Sequence, residues 1–238
     1  MHDPTRIPQL MAAFQDAWEG QPDLTLPAFI GMLTQRGMSW STSEEELLLI
    51  LQELNSTHPA LIDVPPVAPP LLITDHPRMA VTLTNGCVRL GEGTSPLVIA
   101  RSGEDPQRMP AVWRYSSLRP AGPGRPLVVA DTEGVEHRLG VVEMATSYRD
   151  HGRGELGGLL QSDIGTHRWL LLFEDGTRGL LGPRLRLWST VGRETALKTL
   201  AWAGLIRCEP GCEMVVAPAG GGKPLRLGLL SAVILLEA

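Results

Sequence analysis

The sequence predicts an α+β chain: an N-terminal three-helix, helix-turn-helix-like unit, then a mostly antiparallel β domain with a C-terminal helix and hairpin. Three observations predict it. Apolar residues recur at helical spacing three times before Leu54; five prolines crowd Pro59 to Pro70; beyond residue 71, short β-type runs alternate with Gly- and Pro-containing turns. The expected boundaries are an acidic helical domain over 1–60, a proline-rich connector over 61–70, a β-rich domain over 71–190 and a helix-hairpin unit over 191–238.

The first helix is read from Ile7, Leu10, Met11, Phe14 and Trp18, which form one apolar stripe, ended by Gly20 and Pro22. A second opens at Thr25 with Pro27 in its first turn, turns Phe29, Ile30 and Leu33 inward, and stops at Gly37. The third begins with Ser43-x-x-Glu46, a capping box in which side chains satisfy the first free backbone N–H groups. Its inward seam is Leu47, Ile50, Leu51 and Leu54. Pro59 to Pro70 has almost no charge and reads as an extended connector.

Three stretches read as hairpins, because Asn-Gly and Asp-Gly accept the positive φ of tight turns. They are Met79–Leu90 turning at Asn85-Gly86, Leu127–Val142 turning around Asp131 to Gly134, and Trp169–Leu181 turning at Asp175-Gly176. Arg193 to Gly204 reads as a helix, with Leu197, Leu200 and Ala201 on one side. A hairpin over Leu205–Val216 follows, with Glu209-Pro210-Gly211 at its tip. The last apolar segment, Leu225–Leu236, fits helix and strand equally.

Charge excludes one obvious function for the helices. The first 60 residues hold two arginines against eight acids, whereas the remainder holds 19 cations and 18 acids. The third helix, where a helix-turn-helix protein carries its recognition helix, has four carboxylates and no Lys or Arg; such a helix repels phosphates. Only Lys198 and Lys223 are lysines. The cysteines Cys87, Cys208 and Cys212 are sparse and odd in number, which suggests a reducing compartment. No signal-peptide pattern opens the chain, and its longest apolar stretch is too short for a bilayer. The expected location is cytoplasmic, with no membrane partner.

Two polar constellations are candidate ligand sites. The first is the loop from Ser147 to Glu155, where Tyr148, Arg149, Asp150, His151 and Arg153 stand among glycines that let backbone approach a ligand. The second is Arg184, Arg186 and Trp188, which strand alternation puts on one face, suited to an anion, a base or an acidic partner. Cys208-x-x-x-Cys212 lacks a second pair or a nearby histidine, so no metal is expected. Gly220-Gly221-Gly222-Lys223 has Ala217 and Pro224 where a phosphate loop needs Gly and Ser or Thr, so no nucleotide cofactor is expected. No catalytic residue is assigned, and the balance leans away from an enzyme. The expected function is a non-catalytic cytoplasmic interaction or regulatory protein that binds a protein partner, self-associates or holds an anionic ligand. The alternatives are a winged-helix transcription regulator and a small-molecule hydrolase using the 147–155 loop. Nucleic acid is disfavoured for the helices and left open for the β domain.

Overall fold

The computed structural model describes residues 5–63, 69–86, 89–90, 93–94, 96–148, 155–192 and 194–238. The chain forms two compact units, Met1–Leu83 with Tyr115–Arg149, and Thr84–Arg114 with Asp150–Ala238.

In the first unit, α1 (Arg6–Glu19), α2 (Leu26–Gln35) and α3 (Glu44–Thr57) enclose Ala17, Phe29, Leu33, Leu51 and Leu54. Phe29 is central: the Phe14 ring meets it edge-on at 5.1 Å, and Trp18 stacks on it at 6.2 Å. The Trp18 indole N–H is satisfied by the Leu24 carbonyl at 2.7 Å. The capping box forms as read: the Ser43 hydroxyl accepts from the Glu46 N–H, and Glu46 accepts from the Ser43 N–H at 2.8 Å. The inward stripes are narrower than their sequence pattern. Ile7 and Met11 of α1 and Ile30 of α2, expected inside, are exposed.

The strands run β1 (Pro70–Asp75), β2 (Met79–Leu83), β3 (Arg89–Leu90), β4 (Gly93–Thr94), β5 (Leu97–Ser102), β6 (Ala111–Leu118), β7 (Pro126–Asp131) and β8 (Glu136–Ser147). After these come β9 (Arg168–Phe173), β10 (Arg178–Leu181), β11 (Leu185–Val191), β12 (Glu194–Leu200), β13 (Trp202–Arg207), β14 (Glu213–Pro218) and β15 (Leu225–Glu237). Strands β1, β2, β5, β6, β7 and β8 close a barrel in that order. Strand β8 buries Leu139, Val142 and Ala145, three residues apart where a regular strand would bury every second. Register shifts against both neighbours account for this: Ile73 pairs Met144 but Thr74 pairs Val142, and Pro126 pairs Val141 but Val128 pairs Arg138. Gly140, at φ +94°, sits in the second shift, where any Cβ would meet the Asp75 carbonyl.

The segment after α3 passes very close to two glycines of the same unit. A Cβ built on Gly20 would lie 2.0 Å from the His58 carbonyl oxygen, and one on Gly122 the same distance from that of Ala60. Ile62 and Ala121 then exchange backbone hydrogen bonds of 2.7 and 2.9 Å.

The second unit holds a curled seven-stranded sheet, ordered β12-β11-β10-β9-β15-β14-β13. Inside it, Trp169, Leu171, Phe173, Leu181, Leu185, Trp202, Leu205, Met214 and Val216 form one core. Leu97 and Ile99 pack with Leu170, Leu172, Ala232, Ile234 and Leu236 in another.

Two readings of the sequence are corrected here. The helix expected over Arg193 to Gly204 does not form: the described residues of that stretch, 194–204, hold all of β12 and the start of β13, so the fold class has no C-terminal helix-and-hairpin unit. The residues of β12 favour helix locally, but seven consecutive pairs with β11, from Leu185↔Leu200 to Val191↔Glu194, override that preference. Nor is Met79–Leu90 a hairpin, since β2 lies between β1 and β5 while β3 pairs β4. The β7–β8, β9–β10 and β13–β14 hairpins do form. Leu225–Glu237 is a strand.

Two outcomes follow for stability. Gly122→Ala is expected to cost about 1–3 kcal/mol, because the Ala60 backbone cannot yield easily. Gly31→Ala, in an open helical position with nothing within 4 Å, should instead stabilise by about 0.5–1 kcal/mol. Paired urea unfolding curves check both, and equal effects would contradict this geometry. The second outcome concerns pH. Glu46 is held below the usual carboxylate range, first by the Ser43 N–H and then by its hydroxyl. Asp131 is held low mainly by His137, then by the Val135 N–H. Depressed carboxyl values add stability that is present above the unfolded value and lost as pH falls through the folded one. His137→Ala should therefore flatten the acid limb of a stability–pH curve, and Ser43→Ala, which removes the hydroxyl but keeps the N–H, should flatten it less while costing about 1 kcal/mol at neutral pH.

Candidate functional site

The arginine and tryptophan face of β11 is built by strand register. Leu185 and Leu187 point into the sheet core, so Arg186 and Trp188 project from the opposite face. Pairing places Trp188 between Leu197 of β12 and Arg178 of β10. Arg184 lies just before the strand and is exposed.

Three side chains of this face are engaged by the chain itself. The connection between β5 and β6 crosses them, and its backbone carbonyls have no strand to pair with. Arg186 donates to the Pro106 carbonyl at 3.2 Å, the Trp188 indole to that of Gln107 at 2.7 Å, and Arg178 to that of Pro110 at 2.6 Å. The connection also braces itself: Ser102 accepts from the Glu104 and Asp105 N–H groups, and Asp105 accepts from that of Gln107. Trp188 is consequently buried, and burial pulls the Arg178 guanidinium below its ordinary value. A cleft of about 550 Å³ remains beside this clamp, bounded by Gln107, Arg108 and Met109 on one wall and Arg178, Thr195 and Leu197 on the other. Arg178, Arg108, Thr195 and Leu197 were missed by sequence reasoning. The Asp175-Gly176 turn fixes Leu172 opposite Arg178, and the next turn fixes Arg178 opposite Trp188, so that part was countable.

Of the five candidate residues in the other loop, only Tyr148 is described, and it is half-buried. Arg149, Asp150, His151 and Arg153 lie outside the described residues, so this loop contributes no geometry to the site.

The cysteines at the β13–β14 turn are free thiols. Burial, with the Glu209 charge, pushes the Cys208 thiol up to about 12. A hydrogen bond with Glu209 is the main cause that raises Cys212. Both remain protonated at neutral pH and are poor nucleophiles and metal ligands in that state. Among the described residues no group of three or more His, Cys, Asp or Glu side chains is arranged to hold a metal ion. His137 and Asp131 contact at 2.9 Å, but Asp131 also accepts from the Glu133 and Val135 N–H groups, so the pair fastens the β7–β8 turn. Among the described residues no helix is long and apolar enough to cross a membrane.

The helices carry a different kind of surface. Ile7 and Met11 of α1 are 56% and 60% exposed, and Leu26 and Ile30 of α2 are 44% and 38% exposed. Each pair is spaced i, i+4, so each forms a row on its helix. An apolar cleft of about 560 Å³ joins the helices, with Pro8, Met11 and Ala12 on α1 and Leu26 on α2 along its sides. Trp40 stands fully exposed in a turn where the Ser39 N–H donates to the Thr42 hydroxyl at 2.8 Å.

No protein-family model matches the sequence, and no curated protein and no solved structure matches it either.

The clamp has a direct test. Trp188→Phe keeps a single aromatic ring but removes the indole N–H and leaves the Gln107 carbonyl without its donor, which should cost about 1–3 kcal/mol. Amide exchange should then accelerate across 103–110 and not in α1 to α3. Unchanged exchange in that stretch would mean that the indole bond does not hold it.

Proposed function

We propose that this protein is a non-catalytic interaction module whose helical segment docks a cationic, amphipathic helix of a protein partner. The observation that carries the reading is the exposed apolar surface of α1 and α2, where Ile7, Met11, Leu26 and Ile30 stay outside the core and Met11 and Leu26 line a cleft. A groove between two helices with apolar rows at i, i+4 spacing suits an amphipathic helix laid along it. Trp40 adds a large, fully exposed ring of the kind that anchors interfaces.

Charge supports a basic partner over an acidic one. The described residues up to Ala60 carry Arg6 and Arg36 against Asp16, Glu19, Asp23, Glu44, Glu45, Glu46 and Glu53. Arg6 is itself paired with Glu44 at 2.9 Å. An excess of carboxylates steers cations in and phosphates away. The same excess weighs against nucleic-acid binding by the helices, and the loss of the C-terminal helix removes the helix-then-hairpin pattern behind the winged-helix alternative.

The test uses two labelled model peptides titrated against the full chain, one a Leu-Lys amphipathic helix and the other its Leu-Glu counterpart. The basic peptide should bind and weaken with added salt, while the acidic one should not bind. Met11→Ser with Ile30→Ser should lower affinity at least tenfold and leave stability within about 0.5 kcal/mol, since both residues are exposed. Equal binding of both peptides, or preferential binding of an oligonucleotide, would remove this reading.

A further inference from the structure

The two edges of the seven-stranded sheet are finished differently. Strand β13 is covered by the preceding segment of the same unit: the Leu205 N–H donates to the Leu159 carbonyl at 2.9 Å, Gly158 donates to Leu205 at 2.7 Å, and Leu156 donates to Cys208 at 2.8 Å. Leu160 and Gly204 form a further bridge. Strand β12 has no such cover among the described residues. Its ladder runs to β11 alone, and Glu194 to Thr199 are all exposed, with only Leu200 half-buried. It contains no proline, and its seven pairs with β11 run without a register shift, so neither of those devices blunts it. Such an edge presents a row of backbone donors and acceptors ready for another strand.

We infer that β12 pairs antiparallel with β12 of a second copy, joining two seven-stranded sheets through a twofold axis at Ala196. The side chains choose this occupant and this register. Twofold pairing of identical antiparallel strands sets one residue opposite its own copy. With Ala196 at that position, Glu194 falls opposite Lys198 of the second copy, and Lys198 opposite its Glu194. Residues directly opposite lie about 4.5–5.5 Å apart, within reach of an ion pair. On the other face, Thr195 meets Leu197 of the second copy, covering part of an exposed leucine. Centring on Thr195 or Leu197 instead pairs neither charge: Lys198 would face Ala196 in the latter case, and Glu194 would face Ala196 in the former. One register therefore satisfies both charges, and it satisfies them twice.

This inference is independent of the helical docking surface and can fail separately from it. Sedimentation equilibrium of the full chain over a range of concentrations should show a reversible monomer–dimer equilibrium. Lys198→Glu puts two carboxylates opposite each other on both sides of the axis and should weaken dimerisation at least tenfold. Glu194→Lys should do the same with lysines. The exposed positions of both residues leave the fold intact, which circular dichroism checks. A mixture of the two single variants restores both opposite-charge pairs and should dimerise, as should the double exchange within one chain. Amides of β12 should gain exchange protection in the dimer. A wild-type chain that is monomeric at every concentration would overturn the inference. So would a dimer unmoved by Lys198→Glu, or single variants that fail to associate when mixed.

Discussion

The constraint behind most of this structure is that every backbone N–H and C=O removed from water needs a partner. A chain built largely of strands meets that requirement at its edges. The barrel of β1, β2, β5, β6, β7 and β8 meets it by closure, with bulges in β8 that bend the strand as closure requires. The seven-stranded sheet remains open and satisfies one edge with residues of the segment at 156–160. The connection between β5 and β6 has no strand partner, so Arg178, Arg186 and Trp188 supply its carbonyls with donors. Cover, clamp and closure are three answers to one requirement.

That requirement also decides which surfaces remain for function. An arginine and tryptophan face looks open to an anion when read as a strand, but here the Trp188 indole and one guanidinium nitrogen each of Arg178 and Arg186 are used on main-chain oxygens. The cleft beside it retains the cationic character of Arg108 and Arg178 with little open aromatic surface. The helices show the converse. Their backbones are self-satisfied, their core is complete with Phe29, Leu33, Leu51 and Leu54, and they carry more apolar residues than that core uses. Surplus hydrophobic surface on a small acidic bundle is a costly feature unless something covers it.

Features governed by local chemistry were legible in the sequence. The capping box depends on two side chains three residues apart, and the β7–β8 and β9–β10 turns depend on Gly134 and Gly176, at φ +83° each. Features governed by distant partners were not. Glu194 to Leu200 contains Glu, Ala, Leu and Lys, all helix formers, and only its ladder with β11 makes it a strand. Leu225–Glu237 was undecidable because a strand lined on both faces by neighbours reads as a continuous apolar run. The partners of Arg178, Arg186 and Trp188 lie 68, 80 and 81 residues away, a distance no periodicity can bridge. The outward turn of Ile7, Met11 and Ile30 was equally hidden, since a stripe records which residues are apolar but not how wide a neighbour will be.

Lys198 brings these threads together. Nineteen of the chain's 21 basic residues are arginines, yet the strand at the bare edge carries one of the two lysines. A lone lysine on an edge usually keeps other strands away, because an incoming strand must bury or face its charge. Glu194, four positions earlier on the same face, changes the consequence without removing the protection. A foreign strand, or the same strand in another register, still meets an unmatched charge. A second copy centred on Ala196 meets its complement at both ends. The edge is thereby closed to general association and open to one geometry, with selectivity supplied by charge spacing and attachment by the backbone.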